Sequence, residues 1–195
     1  NENYILTSED IRTNAEGNST VEWTTTTGTT ITADATTAPD STGTADKIEE
    51  DNAAGNHLRG ASYTARSTGA VVTHSVYAKA GENSKCSVRI QNGVNGCTAT
   101  FDLTAATVTA NPFGTGATLV GSSITAVGSG WYRCSVSGSI PGVAVYTYYL
   151  LLLNAAGAPA YTGTAGNGLY LWGAQANHGS TVGLYTKTTG TAITN

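Results

Sequence analysis

The chain has 195 residues, a formal net charge of −4, 11% charged and 39% hydrophobic residues, and no Met. That length buries one substantial core, and the hydrophobic share at low net charge excludes a disordered chain. The nine Lys and Arg are scattered; Lys79 and Lys85 come closest to a cluster, with Glu82 between them. Nucleic acid is therefore not an expected partner, since affinity for a phosphate backbone needs clustered basic side chains.

In chain order, short runs of β-branched and aromatic residues, each closed by Gly, Asn, Asp or Pro, predict strands near 3–8, 20–25, 29–34, 44–50, 56–65 and 70–80. They continue near 85–91, 97–103, 118–127, 130–138, 143–153 and 168–176. No stretch holds an apolar stripe at helical spacing. Many short strands with regular turn signals indicate an all-β sandwich or barrel. Alternation is cleanest in Val72–Lys79, where Val72, Val76 and Ala78 share a face. It recurs in Trp131–Val136, where Tyr132, Cys134 and Val136 do so. The run Tyr146 to Leu153 is apolar almost throughout, which predicts a central strand covered on both sides. Asn92-Gly93 and Asn95-Gly96 predict a tight connection spanning Gly93 to Gly96.

No linker or repeat divides the chain, so residues 1–195 read as a single domain. The first residues lack the basic start and apolar core of a signal peptide, and no apolar run is long enough to span a bilayer. The absence of an initiating Met is expected of a fragment or processed product. With three cysteines, Cys86, Cys97 and Cys134, at most one disulfide can form. The simpler expectation is three small buried thiols.

No nucleophile elbow, zinc-binding histidine pair or phosphate-binding loop occurs, and the turns Gly121-Ser122-Ser123 and Gly128-Ser129-Gly130 have no base nearby in sequence. Catalysis is therefore not expected, and neither is a cofactor. Glu49-Glu50-Asp51 is a candidate calcium site, because hard cations take clustered oxygen ligands; the alternative is a solvated turn. His74 is in phase with Val72 and Val76, either in a binding cleft on a sheet face or as a hydrogen-bonded core histidine. His57, Arg59 and Tyr63 lie in a strand of mixed polarity and are candidates for an exposed face. Together with His74 they form the candidate carbohydrate-binding set. Trp172 reads as structural. Asn18-Ser19-Thr20 fits an N-glycosylation acceptor.

Seven segments in order resemble a known family. They begin with Asn3–Asp10, Thr44–Ile48, Ser75–Glu82 and Phe101-Asp102-Leu103. Gly130–Val136, Gly168–Gln175 and Tyr185–Ala192 complete the set. The family comprises carbohydrate-binding-module-like jelly-roll domains of phage tail-fibre, tailspike and head-fibre or decoration proteins, and of some bacterial surface proteins. The chain departs from it at His74, where an aromatic is usual, and at Lys187, where Pro is usual.

The resemblance implies a two-sheet antiparallel β-sandwich of jelly-roll type, one module of a longer protein. It implies a non-catalytic adhesion module on the virion surface, assembled in the bacterial cytoplasm. The partners would be cell-surface or environmental polysaccharide and other virion proteins, with no membrane or nucleic acid, and a trimer if the module belongs to a fibre. The alternatives are a decoration or cementing domain that binds only protein, and an accessory module of a polysaccharide-degrading enzyme.

Overall fold

A computed structural model describes residues 2–13 and 23–194. Within these residues the chain forms strands and no helix. In order they are β1 (Thr25–Thr27), β2 (Thr29–Thr36), β3 (Ala45–Glu50), β4 (Ala54–Thr64), β5 (Val72–Ala80), β6 (Lys85–Asn92) and β7 (Asn95–Asp102). Next come β8 (Thr107–Phe113), β9 (Thr118–Gly128), β10 (Trp131–Ser139), β11 (Val145–Leu153), β12 (Ala160–Thr162) and β13 (Gly168–His178).

These strands form a two-sheet antiparallel β-sandwich. One sheet has seven strands in the order β1-β4-β11-β6-β7-β8, with β12 also pairing β4. The other has six, in the order β2-β3-β13-β5-β10-β9. The chain changes sheets repeatedly, for example between β3 and β4, β5 and β6, and β10 and β11. These are connections of the jelly-roll type.

Period-two alternation sends every second side chain into the space between the sheets. From the seven-stranded sheet come Cys86, Val88 and Ile90 of β6, Ala99 and Phe101 of β7, and Tyr146, Tyr148, Leu150 and Leu152 of β11. Val76, Ala78, Cys134, Val136, Leu169 and Leu171 meet them from the six-stranded sheet. In β13 the inward phase switches from Leu169 and Leu171 to Ala174 and Ala176 across a bulge between Trp172 and Gln175. Gly173 sits in that bulge at φ +64°, and a Cβ there would meet the Tyr77 and Tyr185 rings at 3.0 Å. Glycine meets both demands.

Asn3 fastens the start of the chain to the same bulge. Its Nδ2 donates to Ala174 O (3.1 Å) and Thr186 O (3.0 Å), while its Oδ1 accepts from Ile5 N (3.1 Å) and Ala176 N (3.0 Å). The strand expected over 3–8 is reduced to two antiparallel bridges, Asn3 with Ile193 and Thr7 with Thr189. This segment spends its side chains on fastening the chain ends instead of on a continuous ladder.

Three other expectations change. The tight connection is the two residues Gly93-Val94, with Asn92 paired to Asn95, because Gly93 at φ +56° closes the turn at once. Asn95-Gly96 therefore belongs to β7. The strand expected over 20–25 begins later, at Thr25; residues 20–22 and the tripeptide Asn18-Ser19-Thr20 lie outside the described residues. Strands β8 and β12 were not expected. β8 is an edge strand, where Pro112 and a run of polar residues are tolerated. All three cysteines are buried and free.

Candidate functional site

His57, Arg59 and Tyr63 alternate along β4 in register with Leu152, Leu150 and Tyr146, so all three point inward. They are buried, as is His74, and the expected exposed face at these positions is corrected. The mixed polarity of this strand comes from polar side chains given internal contacts. Arg59 Nε and Nη2 donate to Thr29 Oγ1 (3.0 Å) and Thr29 O (2.9 Å). His57 packs on the Tyr161 ring at 4.5 Å, with Nε2 3.4 Å from Asp51 Oδ1. Tyr63 and His74 do meet, through a hydrogen bond of 2.6 Å within the core.

Glu49, Glu50 and Asp51 do not converge on one point. Glu49 lies 3.3 Å from Lys47 Nζ and accepts from Thr32 Oγ1 (2.6 Å). Glu50 is buried and accepts from Tyr161 Oη, Asn83 Nδ2 and Thr164 N. Asp51 accepts from Ala53 N in the following turn (2.9 Å). Strand alternation separates adjacent side chains, and among the described residues no group of three His, Cys, Asp or Glu is placed to hold a metal ion.

The clefts are polar, but their charges are committed. One of about 300 Å³ is lined by Glu9, Asp10, Arg12, Asp34, Asp46 and Lys187, among others. There Arg12 grips Asp10 through Nε and Nη2 (2.8 and 2.9 Å), and Lys187 Nζ lies 2.6 Å from Glu9. Asp46 accepts the backbone N–H groups of Ile11 and Asp34, each at 3.1 Å. Burial of this carboxyl pushes its pKa up to about 6. A second cleft of about 260 Å³ is built around Glu50 and Tyr161. These clefts are seams between chain segments.

Much of the outer face of the six-stranded sheet is covered by the chain itself, and a cleft of about 300 Å³ opens between that cover and β9–β10, lined by Gly121, Ser123, Ser135, Ser137, Ser180 and Val182. Thr73 Oγ1 donates to Gly179 O (2.7 Å), Ser137 Oγ to Ser180 O (3.0 Å), and Thr186 N to Gln175 Oε1 (3.0 Å). Trp172 is structural, as expected: it is buried against Tyr77 and Tyr185, and its Nε1 donates to Thr44 Oγ1 (3.0 Å).

The outer face of the seven-stranded sheet offers a different surface. One row across the strands reads Thr25, Gly60, Tyr149, Arg89, Thr98, Asn111. Gly60 has no side chain, so the Tyr149 ring reaches across β4; a Cβ at Gly60 would stand 2.6 Å from Tyr149 Cε1. Phe113 does the same over Gly96, where a Cβ would be 2.6 Å from its Cζ. Both glycines are strand-interior sites of close approach. Arg89 stands between these rings, its guanidinium 5.8 Å from the Phe113 centroid. Its Nε has no hydrogen-bond partner among the described residues, and burial lowers its pKa.

Hydroxyls surround this group. Ser62 Oγ and Thr147 Oγ1 lie 3.0 Å apart, and Ser87 Oγ and Thr98 Oγ1 2.8 Å apart. The result is an open sheet face with two rings, one cation and the hydroxyls of Ser62, Thr147 and Thr98, Ser87 being buried beneath them. The central-strand expectation for Tyr146 to Leu153 thus holds on its inner face and at outward-facing Leu151 and Leu153, while Tyr149 stays partly exposed.

Compared with known proteins, the chain matches no protein-family model and no curated protein.

Proposed function

We propose that this domain is a non-catalytic glycan-binding module that uses the outer face of its seven-stranded sheet. The observation that carries this reading is the Tyr149 ring reaching across Gly60, beside Arg89 and Thr98 on an open sheet face. A pyranose presents an apolar face that stacks on such a ring, while its hydroxyls meet hydrogen-bonding groups around it. The openness of the face fits a polymer passing across it better than a small molecule enclosed in a pocket.

A single site of this kind binds weakly, and many copies on one particle convert weak contacts into firm attachment. The resemblance of the seven ordered segments to virion modules supports that setting: a fibre, decoration or tail appendage of a phage, exposed at the virion surface.

The test is affinity electrophoresis and a glycan array, using the domain fused to a multimerising scaffold. Wild type is expected to be retained by at least one bacterial or environmental polysaccharide. Tyr149→Ala is expected to lose that retention while keeping the wild-type far-UV spectrum. A folded wild-type multimer retained by none of them would leave the reading without support and favour a cementing role through protein contacts.

A further inference from the structure

Resting on that reading, we infer that the same face selects acidic glycans, with a sugar carboxylate seated on Arg89. Three of the protein's five arginines have partners within the chain. Arg12 holds Asp10 with the Nε–Nη2 edge of its guanidinium, and Arg66 Nη2 lies 3.3 Å from Glu2. Arg59 is turned inward onto Thr29. Among the described residues Arg89 and Arg133 have no carboxylate partner, and each keeps a buried donor without an acceptor. Arg133 lies on the other sheet, 5.2 Å from the centroid of the Tyr77 ring, which packs on Trp172 and Tyr185, whereas Arg89 stands beside Tyr149 on the open face.

Its neighbours on the face are uncharged: Tyr149 and Thr98 directly opposite, Ser87 and Gln91 along its own strand, and Phe113 beyond Gly96. The acid on this face nearest in register is Asp102, which is paired with Lys85 at 3.3 Å. Arg89 is therefore an uncompensated cation on a protein whose net charge is negative. The flanking rings partly strip it of water, which strengthens any ion pair it forms. Nε of Arg89 is buried, so a carboxylate would meet the terminal Nη1–Nη2 edge, which also takes two oxygens side by side.

The spacing fits a uronic acid. Neighbouring strands stand about 4.8 Å apart. A pyranose stacked on Tyr149 of β11 thus extends its exocyclic carboxylate over Arg89 of β6. The stacked ring supplies the general affinity for sugar, and the ion pair supplies the preference for acid.

The test uses one polymer in two forms: a polyuronate and the same chain after chemical reduction of its carboxyls to hydroxymethyl groups. The multimerised domain is expected to bind the acidic form about tenfold or more tightly than the reduced one, as a charge-assisted hydrogen-bonded pair implies. That ratio is expected to shrink as salt is raised. Arg89→Gln should collapse the ratio towards one, and Arg89→Lys, which keeps the charge without the fork, should give an intermediate value.

Equal binding of the two polymers by wild type would overturn the acidic preference and leave the glycan reading standing. An acidic preference unchanged in Arg89→Gln would overturn Arg89 as its seat. Binding of neither polymer, nor of any polysaccharide on the array, would overturn both.

Discussion

Tyr63 and His74 join the two sheets through a hydrogen bond of 2.6 Å between Tyr63 Oη and His74 Nε2. The second ring nitrogen, Nδ1, lies 2.9 Å from Arg89 O, and a carbonyl can only accept. Nδ1 therefore carries the proton, and Nε2 accepts from the tyrosine. Both residues are fully enclosed, and burial lowers the His74 pKa to about 3. Tyr63 supplies the hydrogen-bond partner that satisfies a buried imidazole.

Acid should therefore loosen the sandwich through His74. In the unfolded chain the imidazole takes a proton near pH 6.5, and in the folded protein only near pH 3. The unfolded state binds more protons between those values, so this contribution is full above pH 6.5 and is lost as pH falls towards 3. Urea unfolding at pH 7, 5 and 4 should show declining stability, with a shallower decline in His74→Phe. Tyr63→Phe removes the donor to Nε2 and should cost about 1–3 kcal/mol at pH 7, read from the same curves.

Asp46 acts in the opposite direction. Its pKa rises from 3.8 to about 6 on folding, because burial disfavours the charged form. Its favourable contribution is full below pH 3.8 and is lost as pH rises through 6. Asp46→Asn cannot ionise, so its stability relative to wild type should improve between pH 4 and pH 8. Denaturation midpoints of both proteins across that range check the slope, whatever the offset caused by weaker bonds to Ile11 and Asp34.

The open face depends on Gly60. A methyl group there collides with the Tyr149 ring, 2.6 Å from Cε1, and the ring must lift from the sheet. Gly60→Ala should cost about 1–3 kcal/mol in stability. It should also weaken polysaccharide retention in affinity electrophoresis even though no hydrogen-bonding or charged group has changed.

The thiols should be silent in the native protein. Cys86, Cys97 and Cys134 are buried and free, and burial pushes the Cys97 pKa up to about 11. Titration with a chromogenic disulfide reagent should find no rapidly reacting thiol in buffer and three in denaturant.

Strand alternation made the centre of the six-stranded sheet legible. Val72, Val76 and Ala78, and Tyr132, Cys134 and Val136, share faces in the structure as their spacing demands. The edge strand β8 was not legible, because Thr107–Phe113 mixes threonine with Asn111 and Pro112 and reads as a loop until a neighbour pairs with it. The candidate surface was hidden for a related reason. Tyr149 sits in an apolar run beside Tyr148, and only register tells that one faces Arg89 on the open side and the other faces the core. The available signal was Gly60, an isolated glycine inside a strand pattern where a ring could cross; Gly96 was masked by its place in a turn dipeptide. His57, Arg59 and Tyr63 misled because polarity in a sequence does not distinguish a solvated side chain from one bonded within the core.

The bridges between the two ends of the chain also have a mechanical meaning. Asn3 pairs with Ile193 and, further in, Thr7 pairs with Thr189, antiparallel to each other. A load applied across these two segments meets the outer bridge first and the inner one afterwards, so it opens them one at a time, as a zip, instead of shearing them together. The four hydrogen bonds that Asn3 makes with Ile5, Ala174, Ala176 and Thr186 reinforce the outer bridge, where the load arrives first. Tension between the two ends would thus open this seam before the two sheets part.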